Sequence, residues 1–465
     1  MITSNLMTRH CMGIAATGGG KSNFLNLILK QQMMRGGGAI HIDGKNSKEA
    51  ILEFLNLARQ HDRWHDVRII NISDAKLSNT YNPLLRGDQD ELTSRIMQLL
   101  DANRGDPYFR GQAGRGLRAI SGILRAMKKP FNFGDLNVIM SNESAMRWML
   151  QNAPKDSKEY KDYITFLDQL MVVDPRTGTK MLNEKKMQHT FGDLASRLHS
   201  YYVGPAGQVL NDYNPEVDLY QALRENQLIY VALPMLSKSE IAVDFAKFFV
   251  SDLRTAVGQI QNDNFKPSPT FLVLMDEFSS YAMPSLAPLF EQARSSNVSL
   301  FPFIQTISSL TDKERGLSTD FAAKILGNTW NKISFVLQDP ESCKVMSEVA
   351  GEVLKENISE SFGDSMSFSS GEDDASILRT GGRGRSYGKS VSLKYDSIVR
   401  PEDFRNLETG EAIFIGRQDV MRLNVPLVEL NNDDKNLDFP RFRMPARQGL
   451  GIAEKYHAFS GIKSD

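Results

Sequence analysis

The chain has 465 residues, 41% hydrophobic and 24% charged, with 55 Lys plus Arg against 56 Asp plus Glu. That length allows two or three domains with ample buried core, and the balanced charge excludes whole-molecule steering toward nucleic acid, so any such surface must be local. Cys11 and Cys343 stand alone, without a CxxC pair, which argues against a disulfide framework or a thiolate zinc site and makes a reducing compartment the default.

The first hundred residues alternate strand and helix. "HCMGIAA" reads as a buried strand, "KSNFLNLILKQQMMR" as a helix closed by Gly36-Gly37-Gly38, "AIHID" as a second strand, "SKEAILEFLNLARQH" as a second helix and "VRIINI" as a third strand. Strands alternating with helices imply a parallel sheet. Between the first strand and first helix lies "AATGGGKSNF", residues 15–24. Its Ala15-x4-Gly20-Lys21-Ser22 spacing is that of a phosphate-binding loop, with alanine where glycine is commoner. Backbone N–H groups of Ala15, Ala16, Thr17, Gly18, Gly19, Gly20, Lys21, Ser22 and Asn23 would surround phosphates. Lys21 would reach the outer phosphates, and the Ser22 hydroxyl would ligate Mg²⁺. Ala15 is tolerable there unless its backbone needs a positive φ.

From Asp88 to Tyr202 the alternation stops and helical patterns dominate: "DELTSRIMQLLD", "GRGLRAISGILRAMKK", "ESAMRWMLQNA", "EYKDYITFLDQLM" and "EKKMQHTFGDLASRLHSYY". The expectation is an all-α domain, residues 88–202, inserted into a discontinuous core of residues 1–87 and 203–430. One segment is conspicuously basic, with Arg104, Arg110, Arg115, Arg118, Arg125, Lys128 and Lys129 against Asp106 alone. Arg110, Arg115, Arg118 and Arg125, beside Tyr108 and Phe109, are candidates to hold a nucleic-acid backbone and stack on bases. A solvated helix face, or pairing with acids elsewhere, is the alternative.

Strands return with "LIYVALP", "TFLVLMDEF", "VSLFPFIQT", "NKISFVLQD" and "GEAIFIG". The second ends in Asp276-Glu277. Asp276 would hold Mg²⁺ through its water shell, and Glu277 would orient and deprotonate an attacking water. A water-activating carboxylate beside a metal ligand points to hydrolysis of the nucleotide. Residues 355–394 are Ser/Gly-rich and read as a flexible loop or hairpin, in which Arg379 to Lys389 is a second basic stretch; residues 431–465 read as a polar C-terminal tail. His61 and His65 have helical spacing but no third ligand beside them, so no zinc site is expected.

With these motifs in this order, the chain resembles the type IV secretion coupling ATPases, the TraD/TraG/DotL group related to the FtsK and HerA motors. The likeness runs from residue 8 to 428 and rests on "HIDGK", on Asn82-Pro83-Leu84 in "SNTYNPL", on "LIYVALP", on "MDEF", on "FPFIQTISSL" and on the closing "IVRPEDFRNLETGEAIFI". It implies an α/β fold: a RecA-like P-loop NTPase core with a mainly parallel sheet flanked by helices, plus an inserted all-α domain. It implies ATP and Mg²⁺ as cofactors, Gln305 as a sensor of the γ-phosphate, and Arg294 as an arginine finger reaching the next subunit's nucleotide. Read from the residues alone, both could be ordinary, Arg294 a surface arginine and Gln305 a buried strand polar group.

The implied assembly is a homo-hexamer working with type IV secretion channel components. Its cargo would be single-stranded DNA with its relaxase, or effector proteins. The place of action would be the cytoplasmic face of the bacterial inner membrane. Family members carry N-terminal membrane helices, and no run here approaches the roughly 18 apolar residues one needs. Membrane association is therefore expected through a missing N-terminal segment or a separate membrane protein. Two rival readings are a HerA/FtsK-like duplex DNA translocase, which the inserted helices argue against, and a nucleotide-binding scaffold, which Glu277 argues against.

Overall fold

A computed structural model gives the fold and describes residues 8–100, 107–173, 175–176, 178–367, 382–417, 419–429 and 435–457. The strands, in chain order, are β1 (Cys11–Ile14), β2 (Ala39–Asp43), β3 (Val67–Asn71), β4 (Met171–Val173), β5 (Lys180–Leu182), β6 (Leu228–Ala232), β7 (Phe271–Met275), β8 (Val298–Ile304), β9 (Asn331–Ser334), β10 (Glu352–Ser367), β11 (Gly382–Ser397), β12 (Glu411–Ile415) and β13 (Val420–Asn424). Nine of them form one sheet in the order β13-β12-β9-β1-β8-β7-β2-β6-β3. From β9 through β3 every pairing is parallel; β12 runs antiparallel to β9, and β13 to β12.

The central strands are mostly apolar, and β2, β6, β7 and β8 are buried along their whole length because helices cover both faces, as parallel sheets require. Alternate residues feed two separate cores. Ile40, Ile42, Val231, Val273 and Met275 face the long helix Ser239–Asn262 and the inserted helices. Leu228, Tyr230, Leu272, Leu274 and Phe303 face helices α1 (Lys21–Met34) and α2 (Lys48–Gln60). The expected RecA-like architecture is thus present.

Between β3 and β6 lie helices Gln89–Met97, Pro107–Ala126, Phe133–Ser141, Glu143–Asn152, Lys158–Leu170 and Glu184–Tyr202. Helix Phe133–Ser141 is almost wholly buried, its polar Asp135 and Asn137 included, and starts at a capping box made by Asn132 and Asp135. The inserted segment is not purely helical: β4 and β5 pair as a short antiparallel hairpin. The Ser/Gly-rich stretch forms a long antiparallel ribbon, β10 with β11, in register from Glu352↔Ser397 to Ser367↔Gly382. Arg379, in its second basic stretch, lies outside the described residues.

Residues 435–457, expected as part of a polar tail, instead run back over the body. Phe439 and Ile452 are buried, Arg441 donates to the backbone carbonyls of Lys76 and Ser78, and Arg68 stacks on Phe442 at 3.4 Å. Farther on, Asp135 accepts from the N–H groups of Ile452 and Ala453 at 2.9 and 3.1 Å. This segment therefore ties the sheet to the inserted helices.

Candidate functional site

Three strands set the site. β8 lies between β1 and β7, so their carboxyl ends place the phosphate loop, Gln305 and Asp276-Glu277 side by side. The crevice at the carboxyl ends of parallel strands is where open α/β sheets receive ligands.

The loop is fixed at both flanks. Ala15 N donates to Ile304 O at 3.1 Å and Ala16 N to Val336 O at 3.0 Å, which extends the ladder past the strand end. Gly18 (φ 85°) and Gly20 (φ 99°) occupy left-handed conformations that a side chain would strain. At Gly20 a Cβ would also meet the backbone N of Gly410 at 3.1 Å. Ala15 is not among the positive-φ residues, so the alanine is sterically acceptable. Gly20 caps α1 without a side-chain acceptor, and no acid occupies the first turn. The helix dipole and its free N–H groups therefore remain available to an anion.

Lys21 Nζ lies 2.6 Å from Asp276 Oδ1 and 3.3 Å from Glu277 Oε1. Burial works against its charge, but the two carboxylates prevail and its pKa is raised, which keeps the ammonium charged. Gln305 Nε2 donates to both Glu277 oxygens, at 3.3 and 3.2 Å. Glu277 itself sits at φ 52°, a left-handed conformation for a residue with a side chain. Strain of that kind is held by surrounding structure, here the Glu277 N–H bonded to Asp276 Oδ1 at 2.8 Å. A phenol assists as well, since Tyr281 donates from its hydroxyl to Asp276 O at 3.0 Å.

The donor set fits a magnesium nucleotide. Ser22 offers a hydroxyl, Asp276 a buried carboxylate, and no cluster of three or more His, Cys, Asp or Glu side chains occurs among the described residues. Mg²⁺ prefers one or two protein oxygens completed by phosphates and water over an all-protein cage.

Two contributors were not singled out as site residues from the sequence. Lys45 Nζ donates to Ser22 Oγ at 2.9 Å, held there because Asp43 accepts from Lys45 N at 3.2 Å and from the Tyr230 hydroxyl at 2.8 Å. Its motif, "HIDGK", was visible; the return of the turn to Ser22 was not. Gly410 N donates to Gly19 O at 3.4 Å, so the turn before β12 backs the phosphate loop from nearly 400 residues away.

Arg294 is not part of this crevice. It sits in the turn Ala293–Ser296, ahead of the amino end of β8. Gln305 follows the carboxyl end of that seven-residue strand, a separation of about 23 Å at strand rise.

The basic candidates scatter. Arg125 is turned inward: it donates to Leu84 O and Leu85 O at 2.9 and 3.1 Å, and burial pushes its pKa down to about 10. It serves the fold instead of offering charge to a backbone phosphate. Arg118 is exposed and pairs with Asp90 at 2.8 Å; Arg115 is exposed and lies against Gln169; Arg110 is half-buried. Arg104 and Asp106 lie outside the described residues. Tyr108 and Phe109 are exposed and edge-packed at 5.5 Å.

Against known proteins, the family described as the TraM recognition site of TraD and TraG matches residues 270–409. The type 4 coupling protein DotL of Legionella pneumophila is 23% identical over 394 residues, covering 74% of this chain and 49% of that protein. The chain thus spans about half the length of that curated relative. Among solved structures, the unbound conjugative coupling protein TrwB superposes with a TM-score of 0.60 at 14% identity, over 92% of this chain and 88% of that one. TrwB in complex with ADP and Mg²⁺ gives 0.59 at 14% identity, over 93% and 88%. These findings bear out the resemblance to type IV coupling proteins and the fold that it implied.

Proposed function

We propose that this chain is an ATP-hydrolysing coupling protein. It binds Mg-ATP at the phosphate loop and acts as a ring, a homo-hexamer with nucleotide sites between subunits. The ring delivers single-stranded DNA with its relaxase, or effector proteins, to a type IV secretion channel. The observation that carries the reading is the convergence of Lys21, Ser22, Asp276, Glu277 and Gln305 at the carboxyl ends of three adjacent strands.

Each residue then has a distinct task. Lys21 exchanges its carboxylate contacts for the outer phosphates, and the N–H groups at the start of α1 hold the inner ones. Ser22 and Asp276 supply the oxygens that hold Mg²⁺, directly or through its water shell. When bound, the metal neutralises charge on the transferring phosphoryl group. Glu277 positions a water and takes its proton, and Gln305, bonded to both Glu277 oxygens, ties that carboxylate to the γ-phosphate position. Arg294 lies too far from its own crevice for this chemistry and serves a neighbouring subunit's site.

No helix among the described residues is long and apolar enough to cross a membrane. Within this proposal the ring works at the cytoplasmic face of the inner membrane, held there by an N-terminal membrane segment or by a separate membrane protein. The test is steady-state ATP turnover across protein concentration, with and without single-stranded DNA, using Lys21→Ala as the blank. Turnover that rises with concentration sustains the ring, and a further rise on adding DNA selects DNA as cargo. Turnover no higher than the blank at any concentration refutes the proposal.

A further inference from the structure

The amino ends of the strands carry a cluster that the nucleotide chemistry leaves unused. Trp330 precedes β9, and three guanidiniums lie against its ring: Arg9 at 3.9 Å from the centroid, Arg417 at 5.2 Å and Arg294 at 5.7 Å. Arg9 precedes β1, Arg294 precedes β8, and Arg417 follows β12, whose antiparallel direction brings its end to the same edge. Since β12, β9, β1 and β8 are consecutive in the sheet, this convergence is set by strand order.

Among the described residues none of these three arginines has a carboxylate partner, whereas Arg86, Arg95 and Arg118 pair with Asp218, Asp252 and Asp90. Arg294 and Arg417 are exposed and Arg9 is half-buried. Cation–π attraction holds the guanidiniums at the ring but does not neutralise them. Like charges gathered this closely, and left unpaired, call for an anion. Guanidinium forks match phosphate oxygens, and two of them side by side match a polyphosphate. Base stacking fits less well, because Trp330 is only 36% exposed and three cations already crowd its ring.

We propose that Trp330 is a positioning residue that gathers Arg294 and Arg417 into one two-pronged site for the triphosphate bound by the next copy of the chain. Arg417 is then a second trans-acting arginine, and Arg9 braces the ring from within the fold. The inference rests on the ATPase reading above and deepens it. The phosphate loop and the cluster occupy opposite ends of the same strands, so no single copy can bring them together. A head-to-tail contact can, and repeated around a closed ring it satisfies every site.

The first test uses fluorescence. The chain has three tryptophans, Trp64, Trp148 and Trp330; Trp64→Phe with Trp148→Phe leaves Trp330 as the sole reporter, and a non-hydrolysable ATP analogue with Mg²⁺ is the probe. The expected result is an emission change that grows with protein concentration and disappears on adding Lys21→Ala to the same chain. A change independent of protein concentration, or none over the whole range, overturns the proposal. A response to single-stranded oligonucleotide without nucleotide also overturns it, by placing nucleic acid at the cluster.

The second test uses turnover. Arg417→Ala should lower kcat roughly 10- to 100-fold, the range for losing one charged contact to a transition state, with nucleotide affinity at the Lys21 site unchanged. Trp330→Leu should behave similarly and Trp330→Phe should retain most activity, since phenyl keeps a π face. Mixing Arg417→Ala with Lys21→Ala should yield more turnover than the two separately, because one supplies an intact site and the other an intact cluster. If the unmodified chain turns over ATP with concentration dependence while Arg417 and Trp330 variants match it, the ATPase reading stands and this inference falls. If the unmodified chain turns over nothing, the ATPase reading falls, and the fluorescence arm still decides whether the cluster meets a neighbour's nucleotide.

Discussion

At the carboxyl ends of β1, β8 and β7, the charged side chains of the crevice answer one another inside a single chain. Lys21 bridges Asp276 and Glu277, and Gln305 holds Glu277. At the amino ends of β1, β8 and β9, Arg9, Arg294 and Arg417 share only the Trp330 ring. The first edge is self-contained, with positions already fixed, as catalysis by pre-arranged charge requires. The second holds charge that no carboxylate among the described residues neutralises. The difference teaches where to look for a partner: like charges without a carboxylate partner among the described residues are where the proposed assembly would supply the missing anion.

Two substitutions probe that contrast with the largest expected effects. Arg294→Ala should lower turnover on the order of 10³-fold, the scale for losing an arginine that neutralises a phosphoryl transition state in trans. Nucleotide affinity of isolated subunits and the unfolding midpoint should stay put, because Arg294 is exposed and has no carboxylate partner among the described residues. A matching fall in affinity of the monomer would place Arg294 in its own crevice and dissolve the contrast. Glu277→Gln should cost roughly 10²- to 10³-fold in turnover, in the range for removing a general base, while binding is kept or tightened. Equilibrium binding of a fluorescent ATP analogue measured beside turnover checks both statements.

The sheet and the phosphate loop were legible because their signals are local. β6 and β7 are short unbroken apolar runs, β2 and β8 are mostly apolar ones, and Gly18, Gly19, Gly20, Lys21 and Ser22 are contiguous. The arginine cluster was not legible as a cluster. Arg9, Arg294, Trp330 and Arg417 are scattered along the chain, and only the order β12-β9-β1-β8 brings them together. The C-terminal segment misled for a different reason. Its anchors, such as Phe439 and the group Leu450, Ile452 and Ala453, are few apolar residues in a polar stretch, and much of its docking is side chain to backbone, as at Arg441 and Asp135. Helix Phe133–Ser141 is buried on every side, Asp135 and Asn137 included, so it shows no apolar-polar periodicity to announce it. Arg125 misled because a run of like charges says nothing about which member turns inward to bind carbonyl groups.

A smaller effect separates the two edges by pH. His10, just before β1, is buried, its Nδ1 accepting from Leu300 N at 2.9 Å. Burial holds its pKa down at about 4, and the Arg294 charge pushes the same way. An imidazole is near 6.5 in the unfolded chain, so the folded form binds the proton less well. Its contribution is complete above pH 6.5 and is lost as pH falls from there to about 4, a difference of about 3 kcal/mol. Asp135 and Asp252, both pushed up to about 6 by burial, act with the opposite sign over an overlapping range. The informative quantity is therefore the difference between His10→Asn, whose amide oxygen can still accept from Leu300, and the unmodified chain. Chemical denaturation at pH 7 and pH 4.5 should show the variant losing less stability than the parent. An equal loss in both would mean that His10 is not held neutral beneath the arginine edge.

The smallest effects come from the inserted helices, and they ask whether any other surface shares the unpaired character of the arginine edge. Arg125 and Arg118 lie on one helix but in opposite settings. Arg125→Ala strips the Leu84 and Leu85 carbonyls of a charged donor and should cost roughly 1–3 kcal/mol. Arg118→Ala breaks an exposed pair with Asp90 and should cost less than about 1 kcal/mol, measured by the same denaturation. If DNA stimulates turnover and Arg118→Ala weakens that stimulation at unchanged stability, the exposed face of this helix is a second surface completed only by a partner. If stimulation survives Arg118→Ala and Arg115→Ala together, this helix is a solvated face whose charges are satisfied by Asp90, Gln169 and water. The arginines without a carboxylate partner around Trp330 then stand apart from this helix, and that outcome favours the proposed role of their edge in assembly over one in holding cargo.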